Sequence, residues 1–176
     1  HATSYSKSVP LYETFSNTTD YSLPVPMMNI LNGGAHANNG LDFQEFMILP
    51  IGFNSFADSL RSGVEIFHTL KGLLDKESLS TAVGDEGGFA PALTSNSQAL
   101  DLIVKSIEQA GYSPGIDVYL GLDVASSEFY KNGRYILSNG DSYNNVDFTG
   151  YLAELSSRYP IITVEDGISE DDWDGW

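Results

Sequence analysis

Cysteine is absent from this chain, so neither disulfides nor thiolate metal sites are available to it, which fits a reducing compartment. Basic residues are scarce: eight Lys and Arg stand against 24 Asp and Glu, a formal net charge of −16. Nucleic acid is held by clustered Lys and Arg, so it is excluded as an expected partner. No apolar run approaches the roughly 20 residues required to cross a bilayer, and no basic stretch leads into an apolar one as in a secretory leader. The expectation is a cytoplasmic protein with no membrane span. With 41% apolar and 18% charged residues over 176 positions, the chain is long enough to bury a core and suits one globular domain.

What is present is acid, and it is placed rather than scattered. The apolar run Val118–Leu122 climbs into Asp123, and Pro160–Val164 climbs into Glu165 with Asp166 behind it. A third acidic site, Val83-Gly84-Asp85-Glu86-Gly87-Gly88, occupies a glycine-rich turn. Carboxylates delivered by successive strand ends are how a parallel barrel assembles a site for a hard cation. Acidity alone reads as solubility, but six acids fall within Glu165–Asp174.

Each candidate has two readings. A buried, unpaired carboxylate costs several kcal/mol, so Asp123 either meets a cation or caps the next segment through Ser126 or Ser127. Glu165 and Asp166 repel each other unless a cation lies between strands, which favours at least one of them as a ligand. Oxygen donors without neighbouring His or Cys select Mg²⁺ or Mn²⁺ over zinc. Glu86 is either a surface-turn acid or, if desolvated beside other acids, a general acid with a raised pKa. His36, in the loop Asn32–Gly40, is either solvated or functional. Gln44 and Glu45 interrupt an apolar strand, so one of the two is expected to point into a site. None of the eight bases lies in these loops or near Asp123 and Glu165, so an anionic substrate would be held here through metal ions or through cations from elsewhere.

Periodicity predicts strands at Met27–Leu31 and Phe43–Leu49, then a helix over Ser55–Leu74 with Phe56, Leu60, Val64, Phe67 and Leu70 on its core face. The aromatic and Met residues Phe56, Phe67, Met27, Met28 and Met47 are assigned to the core. A second helix spans Ser97–Ala110, with Gly111 as its C-cap. After the strand into Asp123, Asn132-Gly133 and Asn139-Gly140 predict a small hairpin around Tyr135–Leu137. Thr149 is read as the cap of a third helix that Pro160 ends, and Ser169 as the cap of a fourth. The order β-β-α-α-β-(hairpin)-α-β-α argues for α/β architecture with about four barrel strands, half of the eight that closure requires.

At these residues the chain resembles enolase. The resemblance rests on Pro24-Val-Pro-Met-Met-Asn-Ile-Leu-Asn-Gly-Gly-Ala-His36, Gln44-Glu-Phe-Met-Ile, Val83-Gly-Asp-Glu-Gly-Gly, Leu120-Gly-Leu-Asp-Val-Ala-Ser-Ser-Glu-Phe and Val164-Glu-Asp-Gly. The last of these is more similar to bacterial members. The resemblance implies the first half of an enolase-type (β/α)8 barrel opening β-β-α-α over residues 23–176, preceded by the tail of an N-terminal α+β domain in residues 1–22. It implies the Mg²⁺-dependent interconversion of 2-phosphoglycerate and phosphoenolpyruvate, with two Mg²⁺ per site in the complete enzyme. Asp123 and Glu165 would be metal ligands, Glu86 the proton donor, and His36, Gln44 and Glu45 substrate contacts. A lysine base, a third Asp ligand and further cations belong to later parts of the family's chain, so this segment alone is expected to be an inactive fragment. A homodimer is implied at full length, as is an additional cell-surface or secreted pool.

Overall fold

The computed structural model describes residues 1–176 except Asn17, Thr19 and Asp85. Asp85, one of the acids of the third acidic turn, therefore lies outside the described residues. A short helix α1 (Ala2–Lys7) and a 3-10 turn (Leu11–Thr14) precede an extended approach to β1 (Met28–Asn32). Then follow β2 (Glu45–Leu49), α2 (Phe56–Lys76), α3 (Asn96–Gln109) and β3 (Tyr119–Asp123). A three-stranded excursion, β4 (Tyr130–Lys131), β5 (Arg134–Ile136) and β6 (Ser142–Tyr143), leads to α4 (Asn145–Arg158) and β7 (Ile161–Glu165).

The main sheet runs β1-β2-β3-β7. Strand β2 is antiparallel to both neighbours, while β3 and β7 are parallel. This is the α/β architecture of a partial barrel: four staves, half the number an eight-stranded cylinder needs. Register slips by one residue in two places, between Asn29 and Leu31 on β1 and where Leu120–Gly121 faces Ile161–Thr163 on β7.

One face of the sheet carries Phe46, Ile48, Leu120 and Leu122, all fully buried. Helix α2 sits close to this face because it presents Ser59, Ser62 and Gly63 there, and a Cβ on Gly63 would collide with the Met28 side chain. That close approach corrects the helix face read from periodicity. Ile66, Leu70, Leu73 and Leu74 are buried, whereas Phe56, Leu60 and Val64 are exposed, as is Met27. On the opposite face, a Cβ on Gly121 would meet Thr163, Leu49 and Met47, so these side chains share one surface. By alternation the strand-end acids lie on that same surface.

The helix caps explain the boundaries. Ser55 accepts from the Asp58 amide (3.1 Å) and Ser95 from the Gln98 amide (3.1 Å). For α4 the cap is Asn144, which accepts from the Asp147 amide at 2.8 Å, one turn before the expected Thr149. The Thr149 hydroxyl instead donates to the Asn145 carbonyl inside the helix. The helix expected at Ser169 does not form. Asp172 accepts the hydroxyl of buried Tyr135 (2.8 Å) and the Asn145 amide (3.2 Å), which ties this segment into turns over the excursion. Asn132 and Gly133 both adopt positive φ (53° and 77°), the pairing a two-residue hairpin turn demands.

Candidate active site

Strand register brings four polar residues of the expected site region onto one rung. Asn32 pairs with Glu45, Glu45 with Asp123, and Asp123 with Glu165. Cross-strand partners share a face, so Glu45, Asp123 and Glu165 point the same way on adjacent strands.

Asp123 is fixed from two sides. Its Oδ2 accepts from Gln44 Nε2 at 3.0 Å and its Oδ1 from the Ala125 amide at 3.2 Å. Burial raises its pKa and nearby Asp166 adds to the rise, while the two hydrogen bonds and His36 oppose it. Glu45 is held by His36, whose Nδ1 lies 3.3 Å from Glu45 Oε1, within ion-pair distance although out of line for a hydrogen bond. Burial pushes the Glu45 carboxyl up, and Asp123, Glu86 and Glu165 push it further, against the pull of His36. Strand alternation would send one of Gln44 and Glu45 to the site, and these pairings place both of them beside Asp123. Gln44 precedes the strand proper and curls its amide onto Asp123, while Glu45 is in register with it.

The loop with His36 forms a 3-10 turn (Gly34–His36) braced by Gly33 N–H to the Gln44 carbonyl (3.0 Å) and Gly34 N–H to the Leu41 carbonyl (2.9 Å). Glycine is needed at position 34, where φ is +49° and the Asp42 and Gln44 backbones press close. The turn carrying Glu86 lies along β1. Asn32 N–H donates to the Phe89 carbonyl (2.8 Å), and the buried Asn32 amide donates to the Gly88 carbonyl (2.8 Å). Glu86 itself is exposed, so of its two readings the condition of desolvation beside other acids is not met here. Glu165 and Asp166 are exposed as well.

Two residues just past the strand ends are left-handed, Ala125 (φ 47°) and Asp166 (φ 45°). Non-glycine residues adopt this conformation at a cost and only where neighbours enforce it. Here Val124 N–H donates to the Glu165 carbonyl (3.0 Å) and Ser126 N–H to the Asp166 carbonyl (3.1 Å), locking the two turns together. That pairing also uses the backbone of Ser126, whose buried hydroxyl finds no partner among the described residues, so it does not cap through Asp123. Gln44, Ala125, Ser127, Glu128 and Asp166 line an adjoining cavity of about 260 Å³.

The donor set fits a hard cation. Three carboxylates stand on one face of neighbouring strands, two of them with raised pKa, and the Lys and Arg ion pairs lie on the helices instead. Among the described residues no group of three or more His, Asp or Glu side chains is placed to hold a metal ion, so at most two of these acids could share one as they stand. Sequence reasoning missed Asn32, which looked like the start of a loop. Its signal was a polar residue directly after the apolar strand Met28–Leu31.

A family model described as the enolase C-terminal TIM barrel domain matches residues 20–176.

Proposed function

Because the chain belongs to the enolase C-terminal barrel family, we propose that it contributes half the active site of a glycolytic enolase, which dehydrates 2-phosphoglycerate reversibly to phosphoenolpyruvate. The observation that carries this reading is the in-register rung Glu45–Asp123–Glu165, with the Glu86 turn anchored beside it through Asn32.

In this reading Asp123 and Glu165 would hold Mg²⁺, and Gln44 keeps the Asp123 carboxylate from rotating away. When bound, Mg²⁺ supplies positive charge against the electron-rich form of the substrate. Glu86 would give its proton to the 3-hydroxyl as the C3–O bond breaks and water leaves, once a bound substrate and the rest of the barrel cover the turn and supply the desolvation it lacks here. Its exposed position on a short turn lets it reach a substrate seated over the rung. His36 and Glu45 contact the substrate. The proton lost from C2 goes to a base outside these 176 residues, so the chain alone is proposed to be inactive. We further propose that residues 1–22 end a separate N-terminal domain, that the barrel begins near Leu23, that the complete protein is a cytoplasmic homodimer, and that the Glu-Asp-Gly sequence at 165–167 marks a bacterial-type member.

The test has two arms. The 176-residue chain, given 2-phosphoglycerate and Mg²⁺, is expected to form no phosphoenolpyruvate. The same chain continued through the second half of an enolase barrel is expected to turn over, and Glu86→Gln there should cut kcat by about 100-fold or more, the usual contribution of a general acid. Turnover by the short chain, or full activity of the Glu86→Gln variant, overturns the proposal. Binding gives a readout independent of activity: Asp123→Asn should weaken Mg²⁺ binding measured by calorimetry.

A further inference from the structure

Away from the rung, the loop before β2, the start of α3, the excursion and α4 meet around a small cavity of about 50 Å³. Asp42, Asn96, Asp141, Tyr143 and Tyr151 line it. Asn96 is 3% exposed, and its Oδ1 finds no hydrogen-bond partner among the described residues, while its Nδ2 faces the Tyr151 hydroxyl at 3.5 Å. A buried carbonyl oxygen without a donor costs about 1–3 kcal/mol, so something absent from the protein's own atoms is expected to meet it.

The neighbouring groups say what. Asp42 Oδ1 accepts from the Ser138 amide (2.6 Å), and Asp141 Oδ2 from Asn139 Nδ2 (2.7 Å), which fixes both carboxylates and leaves each a second oxygen. Among the described residues neither acid belongs to an ion pair, since the acidic members of those pairs are Glu45, Asp58, Glu65, Glu77 and Glu154. Both lie near enough to Tyr151 to disfavour ionisation of its hydroxyl, after burial as the leading cause. The lining is thus oxygen-rich, carries two negative charges and includes one unmet acceptor. A cavity of this size accommodates roughly one ion with a water, or water alone.

We propose that this cavity is a calcium-class divalent cation site, separate from the catalytic rung, that clamps the excursion onto the start of α3. Calcium accepts irregular sets of carboxylate, amide and water oxygens, unlike magnesium with its strict octahedron. Asp42 and Asp141 supply the charge and Asn96 Oδ1 the neutral ligand. The site goes beyond the proposed function and does not depend on it.

Terbium, a hard oxygen-seeking ion excited through nearby tyrosines, is a suitable probe because Tyr143 and Tyr151 line the cavity. The 176-residue chain carrying Asp123→Asn and Glu165→Gln, which removes the rung's own cation ligands, should still give tyrosine-sensitised terbium emission that Ca²⁺ displaces. Adding Asp42→Asn and Asp141→Asn should abolish the emission or weaken the apparent affinity at least about tenfold, as ligand charge is lost. Asn at position 42 retains an acceptor for the Ser138 amide, and circular dichroism checks the fold. If the fourfold variant does not fold, Asp141→Asn alone, at an exposed residue, should produce a weaker form of the same loss. Emission unaffected by these substitutions, or not displaced by Ca²⁺, overturns the proposal and leaves a cavity filled by water.

Discussion

The two ends of the carboxylate rung are built differently. At the β2–β3 end, Glu45 and Asp123 are half-buried, in contact with His36, Gln44 and the Ala125 amide, above a sheet face whose reverse side is fully packed. At the β7 end, Glu165 is exposed, and so is half of Ile162 on the same strand. One end is set in place by its neighbours, whereas the other is placed by backbone register alone. A site divided in this way has one rigid wall and one whose side chains settle only when a ligand or another element covers them.

The contrast can be broken or sharpened. The largest effect is expected from Phe46→Ala beneath the rigid end, a loss of about 3–5 kcal/mol, against well under about 1 kcal/mol for Ile162→Ala at the open end; urea midpoints measure both. Next comes Asn32→Ala, which strips the buried bond to the Gly88 carbonyl. It should cost about 1–3 kcal/mol and free the Glu86 turn, visible as faster proteolysis within residues 83–89.

A smaller effect is expected from Glu45→Gln. The folded pKa of Glu45 lies above its ordinary value of 4.5, so its contribution to stability is present below that value and is lost as pH rises through the raised folded pKa. At pH 7 without divalent cation, Gln should therefore raise Tm by about 1–3 °C, and the gain should vanish below about pH 4. No gain at neutral pH would show that the acids do not strain the rigid end. The smallest effect is at Asp166, where φ is +45°: Asp166→Gly should be more stable than Asp166→Ala by about 0.5–1 kcal/mol.

Much of this was legible in the sequence. Apolar runs ending in acids gave the strand ends, because a carboxylate after four or five apolar residues ends the buried stretch. The Asn132-Gly133 hairpin was equally readable, since that pair readily takes positive φ. The core face of α2 was not, because close packing there depends on small residues, and Ser59 and Gly63 carry no hydrophobic signal. Nor could periodicity show that Asn144, not Thr149, begins α4: both are good caps, and the tertiary fit of Phe148 and Leu152 decides between them. The partial burial of Glu45 and Asp123 depends on contacts from distant loops, as does the exposure of Glu86. Motif resemblance gives their identities but not their surroundings.

The one-residue slips on β1 and β7 have a consequence for how the chain can change over time. Ile30 and Ile162 are the residues the ladder skips: with Ile30 removed, Leu31 would still face Phe46 and Asn32 would still face Glu45; with Ile162 removed, Thr163 would still face Gly121 and Glu165 would still face Asp123. Single-residue deletions at these two slips would therefore straighten the ladder while keeping the polar groups at the mouth of the barrel in place. Length variation should be tolerated in the Lys131–Ser142 excursion as well, where no residue of the rung depends on the count.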